Sequence, residues 1–254
     1  MEAGAVRRMG WRMTGTPSAF DRPKRFYKDV TADPAEGGGW MISLDGRSVK
    51  TPARALLRLP TEALALEVAE EWAEQTTHIN LISMHLTRLA NVAIDRTPEM
   101  REEMAEEVVR YCQTDLLCHI AEEPFELAAL EEARWRPVLD WAAETLGVIL
   151  VTTEGIIAAP QPDASLQAAR DYALGLDDFK LTALVFACGV YGSAVLAMAL
   201  AEGALTAESA FHLSRVDEDW QAQKWGQDEE AKDAADAKEI ESDAIGRWLD
   251  GLEG

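Results

Sequence analysis

The chain is short of the groups on which most enzymes and nucleic-acid-binding proteins depend. Its 254 residues include three cysteines and four histidines, and 24 Lys+Arg stand against 45 Asp+Glu, a formal net charge of −21. Phosphate binding needs a concentrated positive surface, so this balance argues against nucleic acid as a partner. It favours a partner that presents basic patches.

The motifs of catalysis are also missing. No glycine-rich loop ends in Lys-Ser or Lys-Thr, and the Gly-Ser-Ala sequence at 192–194 lacks the second glycine of a nucleophile elbow. Cys112, Cys118 and His119 do not have zinc-site spacing, because Cys-x5-Cys in a helix points the sulfurs to different faces and no second pair follows. We therefore predict no catalytic residue, no metal and no cofactor.

The chain begins without an apolar leader, and its cysteine count is odd. Cys112, Cys118 and Cys188 are therefore expected to be free thiols in the reducing cytoplasm of a bacterium. Residues 1–24 carry arginines but no apolar run, which is not the pattern of a secretory signal. They are predicted to form a disordered N-terminal extension.

One stretch is long and uncharged enough to suggest a membrane span. Residues 181–200, LTALVFACGVYGSAVLAMAL, contain no charge over 20 residues, the length of a helix that crosses a bilayer. Alanines, glycines and hydroxyl residues dilute its hydrophobicity, and no basic cluster flanks it. We expect one buried helix over 178–201 at the centre of a bundle, and no insertion into a membrane.

The order of strand and helix signals predicts an α+β protein with two domains. Residues 25–90 should form a small α+β domain with an antiparallel sheet, and residues 91–254 a multihelical bundle. The first 60 residues carry a net charge of +5, and the rest of the chain is strongly acidic. The predicted strands are 25–30, 40–44, 47–50 and 56–59, with 148–153 a strand or an extended connector, and the predicted later helices are 97–120, 124–147, 164–174, 178–201, 206–225 and 228–249.

Local signals also predict three structural residues. Asp45 and Gly46 lie between two strands and can supply the positive φ angles of a two-residue hairpin turn. Thr61 can cap a helix in which apolar residues recur every four positions up to Trp72, so Trp72 should face the core. Gly226 separates the last two helices. The predicted structural residues are Trp72, Gly46 and Gly226.

The segment 216–231, VDEDWQAQKWGQDEEA, places two tryptophans in an acidic, helix-compatible setting. Trp220 and Trp225 lie about 140° apart around a helix, so they should not share one stripe. One ring is expected in the core and the other near the surface. A tryptophan ringed by charge is typical of an interface anchor, and the alternative is two core tryptophans on an ordinary surface helix.

Three further carboxylates, Glu229, Asp233 and Asp236, recur at i, i+4 and i+7 and so lie on one face of the last predicted helix. Their mutual repulsion favours one of two interpretations. The face is either simply solvated or it is a surface that awaits a basic partner.

Five short sequence motifs occur in an order that resembles the ATP synthase assembly chaperone family. They are RFYK at 25–28, LDGR..KTP at 44–52, EW..Q at 71–75, LTRLANVAID at 86–95, and WG with two acids at 225–229. The resemblance covers residues 25–230, most of the chain, and five ordered motifs are far more specific than one motif.

The resemblance implies a chaperone that binds the newly made alpha subunit, shields the face that will meet the beta subunit, and is displaced by it. It implies the same two-domain division, no nucleotide turnover, an architectural role for Trp72 and a partner-facing role for Glu229. The free protein is predicted to be a monomer. An alternative is a small-molecule enzyme that uses acidic residues at the domain junction. The predicted partner-binding residues are Glu229, Asp228, Trp225, Trp220, Asp233 and Asp236.

Overall fold

The computed structural model describes residues 22–226 and 228–254. The predicted N-terminal extension lies outside the described residues except for its last three positions. Of these, Pro23 accepts a hydrogen bond from the backbone N–H of Ile79 at 2.8 Å, and Lys24 forms a β-bridge with His78. Residues before Arg25 are therefore already part of the fold.

An antiparallel sheet lies at the N-terminal end. Its strands are β1 (Val30–Pro34), β2 (Trp40–Leu44), β3 (Arg47–Ser48) and β4 (Arg58–Leu59). β2 is central, with β1 along one edge and both β3 and β4 along the other. The hairpin turn between β2 and β3 has φ angles of 49° at Asp45 and 75° at Gly46, the left-handed geometry predicted for this pair.

The prediction of a first strand at 25–30 was wrong, because that strand begins only at Val30. The preceding backbone is held by other groups. The N–H of Arg25 bonds the carbonyl of Thr77 at 3.0 Å, and the N–H groups of Lys28 and Asp29 both donate to the Asp45 carboxylate. These partners replace a neighbouring strand.

Ten helices follow in the described chain, with one further pair of short strands. The helices are α1 (Glu62–Ala73), α2 (His85–Asp95), α3 (Thr97–Gln113), α4 (Phe125–Leu146), α5 (Asp163–Gly175), α6 (Asp178–Tyr191), α7 (Ala194–Ala201), α8 (Ala207–Leu213), α9 (Val216–Trp225) and α10 (Glu229–Glu253). Strands β5 (His119–Ile120) and β6 (Thr153–Glu154) pair in parallel. The predicted fold class, an antiparallel sheet followed by a helical region, is confirmed.

The apolar run at 181–200 is not one helix, contrary to the prediction. Gly192 takes a φ of 66° and ends α6, and the Ser193 hydroxyl accepts the N–H of Leu196 at 3.0 Å to cap α7. Most of both helices is buried in the core. No helix in the described chain is long and apolar enough to cross a membrane.

Other helix boundaries also differ from the prediction. The helix expected over 97–120 ends at Gln113, and a 3₁₀ turn and β5 follow it. The helix expected over 206–225 is interrupted between Leu213 and Val216, whereas α4 continues through Pro137 up to Gly147, at a φ of 69°. Sequence periodicity finds the apolar faces but not these interruptions, because a distant residue bonds the backbone at each. The N–H of Leu116 donates to the Gly192 carbonyl, and the Leu213 carbonyl accepts the indole N–H of Trp135.

The second half of α10 returns to the N-terminal part of the chain. Trp248 is fully buried, stacks on Phe179 of α6 and donates its indole N–H to the Phe179 carbonyl at 3.1 Å. Arg247 forms an ion pair with Glu67 of α1, and a Cβ on Gly251 would lie 3.0 Å from the Leu64 Cα. The predicted boundary between residues 90 and 91 falls inside α2, so the division into two domains stays a prediction.

Candidate interaction surface

The four motifs near the N-terminus lie in one folded region, which we call the sheet body (residues 22–95). The ring of Tyr27, from RFYK, contacts Trp72 edge-on at 6.0 Å, and its hydroxyl donates to the Trp72 carbonyl at 2.8 Å. Trp72 is 8% exposed and faces the core. Its indole N–H has no partner among the described residues. The burial of the ring therefore outweighs the loss of one hydrogen bond.

Carboxylates form hydrogen bonds that connect the other motifs of the sheet body. Glu71 of α1 accepts the N–H groups of Leu86 and Thr87 at 2.7 and 2.8 Å, and so caps α2 from another helix. Burial raises the pKa of Glu71, and these hydrogen bonds act in the opposite direction. Asp95, at the end of α2, accepts the Thr51 hydroxyl at 2.6 Å. These acids are structural.

The cysteines offer no reactive centre. Cys112, Cys118 and Cys188 are free, as predicted, and all three are buried. Burial raises the pKa of the Cys118 thiol to about 12, so the thiol stays protonated and unreactive near neutral pH. The described part of the chain contains no group of three metal-ligating side chains.

The predicted partner-binding residues lie together on a projection, which we call the acidic arm (residues 216–240). It consists of α9 and the first half of α10, and it carries nine acidic against three basic residues. Between Glu229 and Ile240 every residue is exposed except Ala235, which is half-buried. This half of α10 therefore extends by about 18 Å with little covering it.

The two tryptophans of the arm contact each other, which the helical spacing did not predict. The rings of Trp220 and Trp225 meet edge-on with centroids 5.6 Å apart. Trp220 is half-buried and Trp225 is 73% exposed, so the prediction that one ring lies in the core was wrong. Long side chains at the end of a helix can reach across the angle between their Cα positions. The Lys224 ammonium lies 5.5 Å from the centre of the Trp220 ring.

Some acids of the arm have partners and others have none. In α9, Asp217 accepts a hydrogen bond from the Gln221 amide at 2.8 Å, and Asp219 pairs with Arg215 at 3.3 Å. Asp228 accepts the N–H of Ala231 at 2.7 Å and so caps α10. Within residues 22–226 and 228–254, the side-chain carboxylates of Glu229, Asp233 and Asp236 have no hydrogen-bond or ion-pair partner. Gly226, with a φ of 84° and a ψ of 163°, turns the chain between the two helices.

A groove flanks α9 on each side. The groove between α4 and α9, about 600 Å³, is lined by Leu130 and Arg134 of α4 and by Trp220. The cleft between α9 and α10, about 470 Å³, is lined by Trp225 and by alanines of α10 such as Ala234. Each tryptophan thus faces a different groove, and the alanines leave room for another chain to approach closely.

Sequence reasoning missed three exposed apolar residues at the β5–β6 end of the molecule, Phe125, Ile156 and Ile157. The two isoleucines follow a glycine in a connector without helical or strand periodicity. That placement was the one available sign that they do not belong to a buried face.

Comparison with known proteins agrees with this architecture. The family model described as "ATP12 chaperone protein" matches residues 24–143. The mitochondrial protein atp12 of Schizosaccharomyces pombe is 29% identical over 220 residues, which cover 82% of this chain and 75% of the yeast protein. The crystal structure of Atp12 from Paracoccus denitrificans is 38% identical, with a TM-score of 0.83 over 91% of this chain and 98% of that one. The crystal structure of Atu1473 from Agrobacterium tumefaciens is 40% identical, with a TM-score of 0.85 over 91% of this chain and 86% of that one.

These matches and the shared fold define the class as a chaperone and not an enzyme. The chain belongs to the ATP12 chaperone family, and it is a chaperone of ATP synthase assembly. The resemblance seen in the sequence is confirmed, and the alternative of a small-molecule enzyme is not supported.

Proposed function

We propose that this protein binds the free alpha subunit of ATP synthase through the acidic arm. The bound chaperone covers the face of the alpha subunit that later meets the beta subunit, and the beta subunit replaces it. The observation that carries this proposal is the combination of a largely exposed Trp225 with a helix face of carboxylates that have no partner in the described chain. Such a combination supplies both an apolar anchor and a charge for recognition.

The two kinds of side chain in the arm have different tasks. Trp225 and Trp220 line the two grooves beside α9, where an apolar side chain of the client can displace water from the indole rings. Glu229, Asp233 and Asp236 attract basic client residues and set their register along α10. Asp228 and Gly226 support the turn that separates the helices.

Charge also favours a reversible complex. The arm has a net charge of −6, from nine acidic and three basic residues, and its carboxylates are exposed to salt. Exposed pairs accelerate association but contribute modestly to the final affinity, and salt screens them beyond about 8–10 Å. A partner that buries a larger apolar interface, as the beta subunit would, can therefore displace the chaperone.

Light scattering of the refolding alpha subunit tests the proposal. An equimolar amount of the chaperone should suppress aggregation without ATP, because the sequence has no phosphate-binding loop to couple hydrolysis to release. An unrelated ATPase subunit of similar size serves as the control client and should aggregate as before. Unchanged scattering of the alpha subunit would contradict the proposal.

A further inference from the structure

Two connecting segments meet at the β5–β6 end of the molecule. The N–H of Gly155 donates to the carbonyl of Ile120 at 2.8 Å, and the His119 ring nitrogen Nδ1 lies 3.1 Å from the Gly155 carbonyl oxygen. Glu122 packs against Gly155 so closely that a Cβ added there would lie 2.3 Å from the Glu122 Oε1. The segment before α4 and the segment after β6 therefore lie side by side.

These segments expose three large apolar side chains, which we call the apolar loop patch (Phe125, Ile156 and Ile157). Their exposed fractions are 81%, 96% and 80%. None of them belongs to the core or packs against it. Ile156 directly follows Gly155, and Phe125 follows Glu122, which packs against that glycine, by three residues. Exposed apolar side chains that lie close together mark an interaction surface, whereas isolated ones do not.

Acidic residues surround the patch. Glu122, Glu123, Glu126 and Glu154 are all exposed. The sequence has no Lys or Arg between residues 119 and 133 or between 148 and 169. An anionic membrane surface would be repelled by this rim, whereas an apolar protein segment edged by Lys or Arg would be attracted.

The patch and the acidic arm are joined through α4. Glu131 is buried, accepts the N–H of Ala121 at 2.7 Å, and lies near enough to Asp217 of α9 for the two charges to interact. Phe125 precedes Glu131 on the same helix by about 9 Å. Leu130, between them, lines the groove that contains Trp220. Along the axis of α4 the groove therefore lies about 8 Å from Phe125.

We propose that the apolar loop patch is a second contact surface for the client that the acidic arm binds, and that it takes an apolar client segment edged by basic residues. This inference rests on the proposed function, which it extends from one surface to two. The arm recognises charge, and the patch covers apolar client surface that would otherwise aggregate.

A pair of variants tests the inference by titration with the alpha subunit. The double variant Ile156→Gln and Ile157→Gln should bind at least about tenfold more weakly than the wild type, with an unchanged melting temperature because both side chains are outside the core. The matched control is Leu66→Gln, at a side chain of α1 that is 56% exposed, and it should bind as the wild type does.

The outcomes separate this inference from the function on which it rests. If the wild type does not bind the alpha subunit, both fail. If the wild type binds and the double variant binds equally well, the second surface alone is wrong. If the wild type self-associates in sedimentation and the double variant does not, the patch contacts a second copy of this chain instead. If the wild type binds anionic phosphatidylglycerol vesicles and the double variant does not, the patch contacts a membrane. Either result overturns the inference.

A direct probe of burial complements the affinity measurement. The native thiols are buried, so a fluorophore with a maleimide group should label the variant Ile157→Cys selectively. Addition of the alpha subunit should shift the emission of the probe to shorter wavelength. The same probe on Leu66→Cys should not respond, and equal responses at the two positions would overturn the inference.

Discussion

The sheet body and the acidic arm use carboxylates in opposite ways. In the sheet body, Glu71, Asp45 and Asp95 each accept hydrogen bonds from two groups of another segment. In the arm, Glu229 and its neighbours on the same face remain in solvent, without a partner in the described chain. An acid that is already paired stabilises the fold, whereas an acid without a partner is available for binding. Substitutions should therefore separate folding from client binding by region.

The largest effect is expected for Trp72→Arg in the sheet body. The change removes a buried ring, which costs about 3–5 kcal/mol, and leaves a charge without a partner in the core. Because whole domains are stable by only about 5–15 kcal/mol, the soluble yield should collapse. The control is Leu66→Arg on the exposed face of the same helix, which should fold. A soluble Trp72→Arg with an unchanged melting temperature would show that this ring does not support the body.

Reversal of charge in the arm comes next. Glu229→Lys should weaken alpha-subunit binding about a hundredfold while the fold stays intact. Loss of an exposed pair alone would cost little, but the lysine places two like charges opposite each other across the interface, which costs several kcal/mol. Glu62→Lys is a matched control, since Glu62 is also an exposed acid in the first turn of a helix. Calorimetric titration at constant salt measures both. Equal affinities of the two variants would show that this face of α10 is ordinary solvated surface and does not bind the client.

Removal of the exposed ring should have a smaller effect. Trp225→Ala is expected to weaken the complex roughly thirtyfold, which corresponds to about 2 kcal/mol, typical of an aromatic anchor. Phe26→Ala removes a ring of similar exposure, 68%, from the sheet body and should leave the affinity unchanged. If both variants bind like the wild type, the tryptophan is not an anchor.

The smallest effects are expected for two glycines that both have a positive φ. Gly46 and Gly226 have φ angles of 75° and 84°, and a Cβ at either position would meet no atom within 4 Å. Alanine therefore costs only backbone strain, about 1–3 kcal/mol. Gly46→Ala should lower the melting temperature, whereas Gly226→Ala should reorient the arm and lower client affinity several-fold without changing the melt. A lower client affinity for Gly46→Ala and a lower melting temperature for Gly226→Ala would contradict the division of roles between the two regions.

Features that depend on neighbouring residues could be predicted from the sequence. The turn at Asp45 and Gly46 follows from a local demand for positive φ, and the burial of Trp72 follows from helical periodicity. The bonds of Glu71 to the start of α2 join residues that are fifteen and sixteen positions apart, and no local pattern reports them.

Exposure within the candidate site was the least predictable property. The acidic face of α10 could be located from its spacing, but the contact between Trp220 and Trp225 depends on how the rings turn at the end of α9. The exposure of Phe125 and Ile156 depends on the pairing of β5 with β6, which are separated by more than thirty residues. Long-range pairing of this kind leaves no periodic signal in the chain.

Hydrogen exchange of the chaperone, alone and with excess alpha subunit, tests the separation of the two regions most directly. Backbone amides of the exposed arm should exchange quickly in the free protein and become protected in the complex, while those of the sheet body should be protected in both states. Peptides that cover residues 216–240 should therefore show the change, and those that cover 58–73 should not. Protection confined to the sheet body, with the arm unchanged, would contradict the account.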